Sequence, residues 1–252
     1  MNPLPVAVQL YTLRALPFDA QLAAVAEAGY RAVETVGTHG LAAADMRAAL
    51  AERGLQVISS HLPLDVLEQQ LEEMVAFARE VGNDTLVVPW LAQEARPRDA
   101  EGWTKLGARL GELGRDCRQH GVSLLYHNHD FEMARLGDKT ALEHLLDAAD
   151  PDHLGLELDL AWVVRGGEDP LPLLEKYAGR CPRVHVKDLS PPGENEAEDG
   201  WADVGHGTLD WPVLLPAAKA AGATWLIVEH DRPRDPAASI RRSRRYLQNA
   251  LT

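Results

Sequence analysis

Cysteine is scarce in this chain, and so is positive charge. Only Cys117 and Cys181 occur among 252 residues, with no C-x-x-C spacing. That leaves two unpaired thiols, the usual state in a reducing compartment. Lysine and arginine number 25 against 38 acids, a net charge of −13. Such a surface repels phosphate backbones, so nucleic acid is not an expected partner. No stretch approaches the ~18 consecutive apolar residues of a membrane span. The opening Met-Asn-Pro-Leu-Pro lacks the basic region and apolar run of a signal peptide, and the expected location is the cytoplasm. No G-x-G-x-x-G follows the first strand-like run and no G-x-x-x-x-G-K-[ST] occurs, so neither phosphate-binding loop is available. No fixed-period repeat and no linker divides the chain.

What is present is alternation. Hydrophobic residues make up 46% of the sequence, enough for a sizeable core. Strand-like runs start at Val6, Ala32, Leu55, Thr85, Val122, Leu154, Arg183 and Trp225. Helix-like runs with apolar residues three and four apart lie between them. One carries Leu64, Leu67, Leu71, Met74, Val75 and Ala78. The next carries Trp103, Leu106, Leu110, Leu113 and Cys117. Eight β-α units in a chain of this length predict a single (β/α)8 barrel over residues 1–252, an α/β fold that typically fills about 250 residues. The segment Asp188 to Gly207, rich in proline, glycine and acid, is far longer than an ordinary connection and predicts a cover over the barrel mouth.

Parallel barrel strands all end at one face, where active sites form. Asp159 closes Leu-Glu-Leu-Asp, with Glu157 on the same inward side. His185 lies in Val-His-Val-Lys-Asp, with Lys187 two residues on and Asp188 beside it. Glu229 ends Leu-Ile-Val-Glu-His-Asp. The fifth run, Leu-Leu-Tyr-His-Asn-His-Asp-Phe-Glu, offers His127, His129 and Glu132. Carboxylates and imidazole converging on one point suit a hard or borderline divalent cation. Gln9, Tyr11, Glu34, His61 and Trp90 stand after the first four strands. Trp162 and Trp201 could stack on apolar faces of a sugar. His206 is a further candidate at the mouth. The run Arg241, Arg242, Arg244 and Arg245 on the last helix reads as a solvated or subunit-facing surface, which leaves a homo-oligomer open.

Several of these segments in order carry a resemblance: Val-Gln-Leu-Tyr-Thr-Leu-Arg, Ser-Ser-His-Leu, Tyr-His-Asn-His-Asp-Phe-Glu, Asp-Leu-Ala-Trp, Val-His-Val-Lys-Asp, Val-Gly-His-Gly-Thr-Leu-Asp-Trp and Val-Glu-His-Asp. The chain resembles the sugar phosphate isomerase/epimerase group of xylose isomerase-like barrels, with its ketose epimerases, inosose dehydratases and 3-keto-sugar enzymes. The resemblance implies one divalent metal ion, often manganese, with zinc, magnesium or cobalt as alternatives. It would be held by Glu132, Asp159, His185 and Glu229, with His127 or His129 as the alternative to Glu132. Ketose epimerases of the group have a glutamate where His127 stands here, a departure that leans toward the inosose or keto-sugar branch.

The implied chemistry is isomerisation or epimerisation of a small keto-sugar or polyol through an enediolate, with Glu132, Glu229 and Lys187 as acid and base. Gln9, Glu34, His61, Trp90, His127, His129, Trp162 and His206 would contact substrate. Dehydration or elimination by the same core chemistry is the alternative. A catalytically silent sugar-binding barrel and a relative of abasic-site endonucleases are weaker readings.

Overall fold

The computed structural model describes residues 3–251. Eight parallel strands close into a barrel: β1 Val6–Gln9, β2 Ala32–Val36, β3 Gln56–His61, β4 Thr85–Val88, β5 Ser123–His127, β6 Leu154–Asp159, β7 Arg183–Val186 and β8 Trp225–Val228. Each pairs with its sequence neighbours, and β1 pairs with β8. Helices α1 Phe18–Glu27, α2 Ala43–Glu52, α3 Leu64–Val81, α4 Ala100–Gln119, α5 Ala141–Asp147, α6 Leu160–Arg165, α7 Pro170–Lys176, α8 Trp211–Ala220 and α9 Pro236–Ala250 accompany the strands. The closed (β/α)8 barrel read from the alternation is the observed architecture.

The apolar core lies outside the barrel wall, between strands and helices. Val8, Val33, Val57, Leu86, Leu124, Leu156, Val184 and Leu226 point there, one from each of the eight strands, and they meet Leu22, Met46, Leu67, Leu110 and Leu145 from the helices. α4 buries Trp103, Leu106 and Leu110 together with Gly107, Gly111 and Gly114, while Leu113 is only half-buried. The glycines permit close approach: a Cβ on Gly107 would stand 1.9 Å from the Leu145 carbonyl oxygen.

Inside the barrel the apolar content is small. Ala7, Ala32, Ile58 and Ile227 plug one end. Beyond them the lumen is polar, because strand alternation continues inward with Gln9, Glu34, Glu157, His185 and Glu229. A register shift beside Val33 and Glu34 brings Ser59 opposite Glu34, and the Ser59 hydroxyl donates to that carboxylate. Register then fixes the neighbours. His127 pairs with Glu157, and Asp159 pairs with His185.

Two features go beyond the sequence reading. α6 starts directly at the end of β6, with no loop between, because Asp159 caps it: Trp162 N–H donates to Asp159 Oδ1 at 2.9 Å. The excursion after β7 is itself folded. Asp188–Leu189 and Trp201–Ala202 form a short antiparallel ribbon. Asp188 does not face the barrel mouth. Its carboxylate accepts from Leu189 N, Gly205 N, Leu209 N and Trp211 Nε1 at 2.7–3.1 Å. It therefore anchors the excursion.

Candidate metal centre and active site

At the carboxyl ends of β5 to β8, four buried side chains converge: His127, Asp159, His185 and Glu229. One donor atom from each lies within 4.8 Å of all the others. His185 Nδ1 is 3.0 Å from Glu229 Oε2 and 3.8 Å from Asp159 Oδ2, and His127 Nε2 is 3.9 Å from Asp159 Oδ2. These separations bracket the edges of a tetrahedral coordination shell, about 3.3–3.6 Å at the usual zinc distances, with one below that range and two above it. Asp159 Oδ2 accepts no hydrogen bond of good geometry, although Lys187 Nζ stands 3.1 Å away. Two imidazoles, two carboxylates and a buried oxygen without a donor fit a divalent cation.

A second group lies one layer deeper: His61, His127, Glu157 and His185, with Glu34 beside them. Its contacts are hydrogen-bond lengths. Glu157 Oε1 is 2.7 Å from His61 Nε2, 3.1 Å from His185 Nε2 and 3.2 Å from His127 Nδ1. Glu34 Oε1 is 2.7 Å from His185 Nε2 and 2.7 Å from Gln9 Nε2. His185 thus turns one nitrogen to the upper group and hydrogen-bonds a carboxylate below with the other, while His127 Nδ1 approaches Glu157 at 3.2 Å without a hydrogen bond of good geometry. This is the arrangement that fixes ring orientation at metal sites.

Burial sets the charges, modified by these neighbours. Burial would raise the Glu34 carboxyl, but the imidazoles of His61 and His185 overcome it and hold it well below the usual range. Burial would lower His61, but Glu34 and Glu157 lift it to about 10. His127 is pushed well down, first by burial and then by the charge on His185, so it stays neutral and keeps a lone pair for a cation. Lys187 remains an ammonium: burial opposes the charge, but Asp159, Asp231 and Glu229 hold it well above the ordinary lysine value.

A cavity of about 520 Å3 opens above this floor. His61, His127, His129, Trp90, Trp162 and Glu229 line it, with Tyr11, Trp201 and Asp231. Trp162 and Trp201 meet edge to face, with ring centres 4.6 Å apart. The excursion contributes Asp199 and Trp201 to the wall, and Arg165 ties Asp199 to α6 at 2.9 Å.

Other expected site residues stand elsewhere. Glu132 is not in the four-donor group. The chain turns into a 3-10 helix at Phe131–Met133 and folds Glu132 back beneath the strand end. There it accepts from Tyr126 Oη at 2.6 Å and His129 N at 2.8 Å. Burial raises its carboxyl to about 7. His127 holds the β5 position instead. Gln9 and Glu34 are fully buried below the cavity and do not line it. His206 is exposed on the turn after the ribbon and does not line it either. Lys187 is enclosed behind the wall, 5.2 Å from the Trp201 ring. Two residues escaped the sequence reading. Asp231 lines the cavity and bonds Lys187 at 2.8 Å. Asn128 clamps the Asp159 backbone by accepting from its N–H at 2.9 Å and donating to its carbonyl at 3.3 Å. Both follow a residue already singled out, so their spacing was the only signal.

A family model described as the xylose isomerase-like TIM barrel matches residues 22–250. The chain belongs to the xylose isomerase-like TIM barrel family. Among characterised relatives it is similar to the inosose dehydratase of Bacillus cereus strain AH820, with 27% identity over 192 residues, 68% of this chain and 63% of that one. The chain thus spans just under two-thirds of that relative's length. Among solved structures it is similar to a sugar phosphate isomerase/epimerase from Parabacteroides distasonis ATCC 8503, with TM-score 0.84 and 22% identity, covering 100% of this chain and 96% of that one. The IolI protein, whose crystal structure holds a zinc atom, superposes with TM-score 0.79 and 16% identity over 98% of each chain. These last two likenesses bear on the fold.

Proposed function

We propose that this chain is a divalent-metal-dependent lyase of the dehydratase type, acting on an inosose or a keto-sugar. The observation that carries it is the pair Glu229 and Asp231. They leave the same strand end two residues apart, and both line the cavity beside the four-donor group. A base and an acid on one side suit removal of a proton and expulsion of a leaving group from one face.

A cation held by His127, Asp159, His185 and Glu229 would supply Lewis acidity to the substrate carbonyl oxygen, making the neighbouring C–H more acidic. Glu229 is the base. Its Oε2 takes the contacts to His185 and Lys187, and Oε1 has no hydrogen bond among the described residues. It removes the proton from the carbon beside the carbonyl. Asp231, lifted to about 6 by burial against the opposing pull of Lys187, carries the proton that leaves with the β-oxygen. A C–C double bond forms, the C–O bond breaks, and water or an alcohol departs. Lys187 holds both carboxylates in place through contacts of 2.8 Å. Trp162 and Trp201 pack against apolar ring faces. The similarity to an inosose dehydratase supports the same reading.

Isomerisation or epimerisation is the second reading. It rests on His129, which lines the cavity just beyond the end of β5 and offers a second station for the proton. Metal-reconstituted protein incubated in D2O with a panel of inososes and keto-sugars, followed by NMR, separates the two. Elimination gives an unsaturated product. Accumulation of a deuterated epimer or isomer without unsaturation would overturn the lyase reading.

A further inference from the structure

Lys187 is enclosed by the same oxygens that complete the four-donor group. Its side chain is 1% exposed, and Nζ lies 3.1 Å from Asp159 Oδ2 and 2.8 Å from Glu229 Oε2. A third carboxylate, Asp231, meets it at 2.8 Å and stands outside the group. An ammonium and a divalent cation would therefore draw on the same two oxygens. Both are positive, and at a few ångströms in a buried setting they repel.

We propose that Lys187 is a resident counter-cation that sets how tightly this site holds a divalent ion, with Asp231 as the station that keeps the ammonium when an ion is bound. This rests on the cation reading of the four-donor group given above. Without an ion, Asp159, Glu229 and Asp231 form a buried cluster of like charge, and the ammonium keeps it assembled. When an ion takes Asp159 and Glu229 in the substrate-free site, Asp231, not yet carrying the proton it gives to the leaving group, still pairs with the ammonium at 2.8 Å, so the lysine is not left buried without a partner. Asp231 thus weakens the competition that Lys187 creates.

The consequence is a pair of effects with opposite signs. Lys187→Met removes the competitor and tightens divalent binding by about 10–100-fold, the range typical of changes just outside a metal shell. Asp231→Asn leaves the ammonium only the two shared oxygens and weakens binding by about the same factor. A merely structural role for this cluster would weaken binding in both variants. The experiment strips the full-length chain with chelator and titrates it with Mn2+ or Zn2+ alone against a chelating dye. Apo melting temperatures are recorded alongside. The apo form of Lys187→Met melts below wild type and gains more from the ion. If that apo form does not fold, Asp231→Asn carries the test alone, and unchanged or tighter binding there overturns the proposal. Shifts in the same direction for both variants also overturn it. Wild-type protein that binds one equivalent while the variants fail this pattern removes only the counter-cation role. Wild-type protein that binds no divalent ion removes the cation site and this proposal with it.

Discussion

Glu157→Gln tests whether the deep carboxylate layer orients the ligand imidazoles. Glu157 Oε1 faces His61 Nε2 at 2.7 Å, His185 Nε2 at 3.1 Å and His127 Nδ1 at 3.2 Å. The two candidate ligands are not equally dependent on it. His185 keeps Glu34 Oε1 at 2.7 Å. His127 Nδ1 has no other carboxylate among the described contacts. Losing the partner of a ligand histidine costs about 10–100-fold in metal affinity. With one of two imidazoles still held, the single substitution belongs at the low end, about tenfold, or ~1.4 kcal/mol. Adding Glu34→Gln frees the second imidazole and brings the loss to about 100-fold. The assay is competition for Mn2+ or Zn2+ between chelator-stripped protein and a dye, with circular dichroism confirming the fold. Wild-type affinity in Glu157→Gln, or a double variant no weaker than the single one, would refute the orienting role.

Gly107→Ala forces a Cβ to within 1.9 Å of the Leu145 carbonyl oxygen; the overpacking costs about 1–3 kcal/mol and lowers the melting temperature by roughly 2–12 °C in a chain of this size, measured by calorimetry. Asp188→Ala strands four donors that now meet its carboxylate; a loss of at least ~2 kcal/mol and faster proteolytic cleavage between residues 188 and 209 are expected. Lys176 meets Glu143 Oε1 at 2.9 Å and Asp147 Oδ2 at 3.1 Å. Burial would raise both carboxyls, but hydrogen bonds from Thr140 and Lys176 to Glu143, and from Lys139, Lys176 and Tyr177 to Asp147, bring them below their ordinary values. Their contribution is present above the unfolded carboxylate range and is lost as pH falls through the depressed values. The melting-temperature gap between wild type and Lys176→Met is therefore expected at pH 7 and absent in strong acid; a gap that persists or widens at low pH would contradict the assignment.

The barrel was legible because eight short apolar runs alternate with helices of three- and four-residue spacing. Asp159, His185 and Glu229 were legible for a related reason: each interrupts an apolar run where a strand must end. β5 gave no such signal, since Tyr126 is followed by a string of polar residues. Strand parity would have favoured His127, two residues beyond the inward Leu125. Glu132 lies past the strand, and only the 3-10 turn at Phe131–Met133 shows that it folds back under Tyr126. Glu34 and His61 stood at strand ends as substrate contacts. The depth at which they bind Glu157 and His185 depends on the register shift at β2 and β3, which no local pattern reveals. His206 looked close to the mouth in sequence, but the ribbon of Asp188–Leu189 and Trp201–Ala202 carries the chain away from it.

The division of the interior has a consequence for how this molecule can change. The apolar core sits outside the sheet, and apolar packing within it is limited to a small cluster of Ala7, Ala32, Ile58 and Ile227 with a few further inward residues such as Val87 and Leu125. Folding energy and chemistry are thus drawn from opposite faces of the same strands. An inward residue can be exchanged while its two neighbours, which face the helices, keep the wall intact. Mutational drift in the lumen alters what the barrel does long before it threatens whether the barrel forms. A superposition at TM-score 0.84 with 22% identity is what such a separation permits. It also makes the lumen the place to redesign specificity in this scaffold, with the helix-facing positions left untouched.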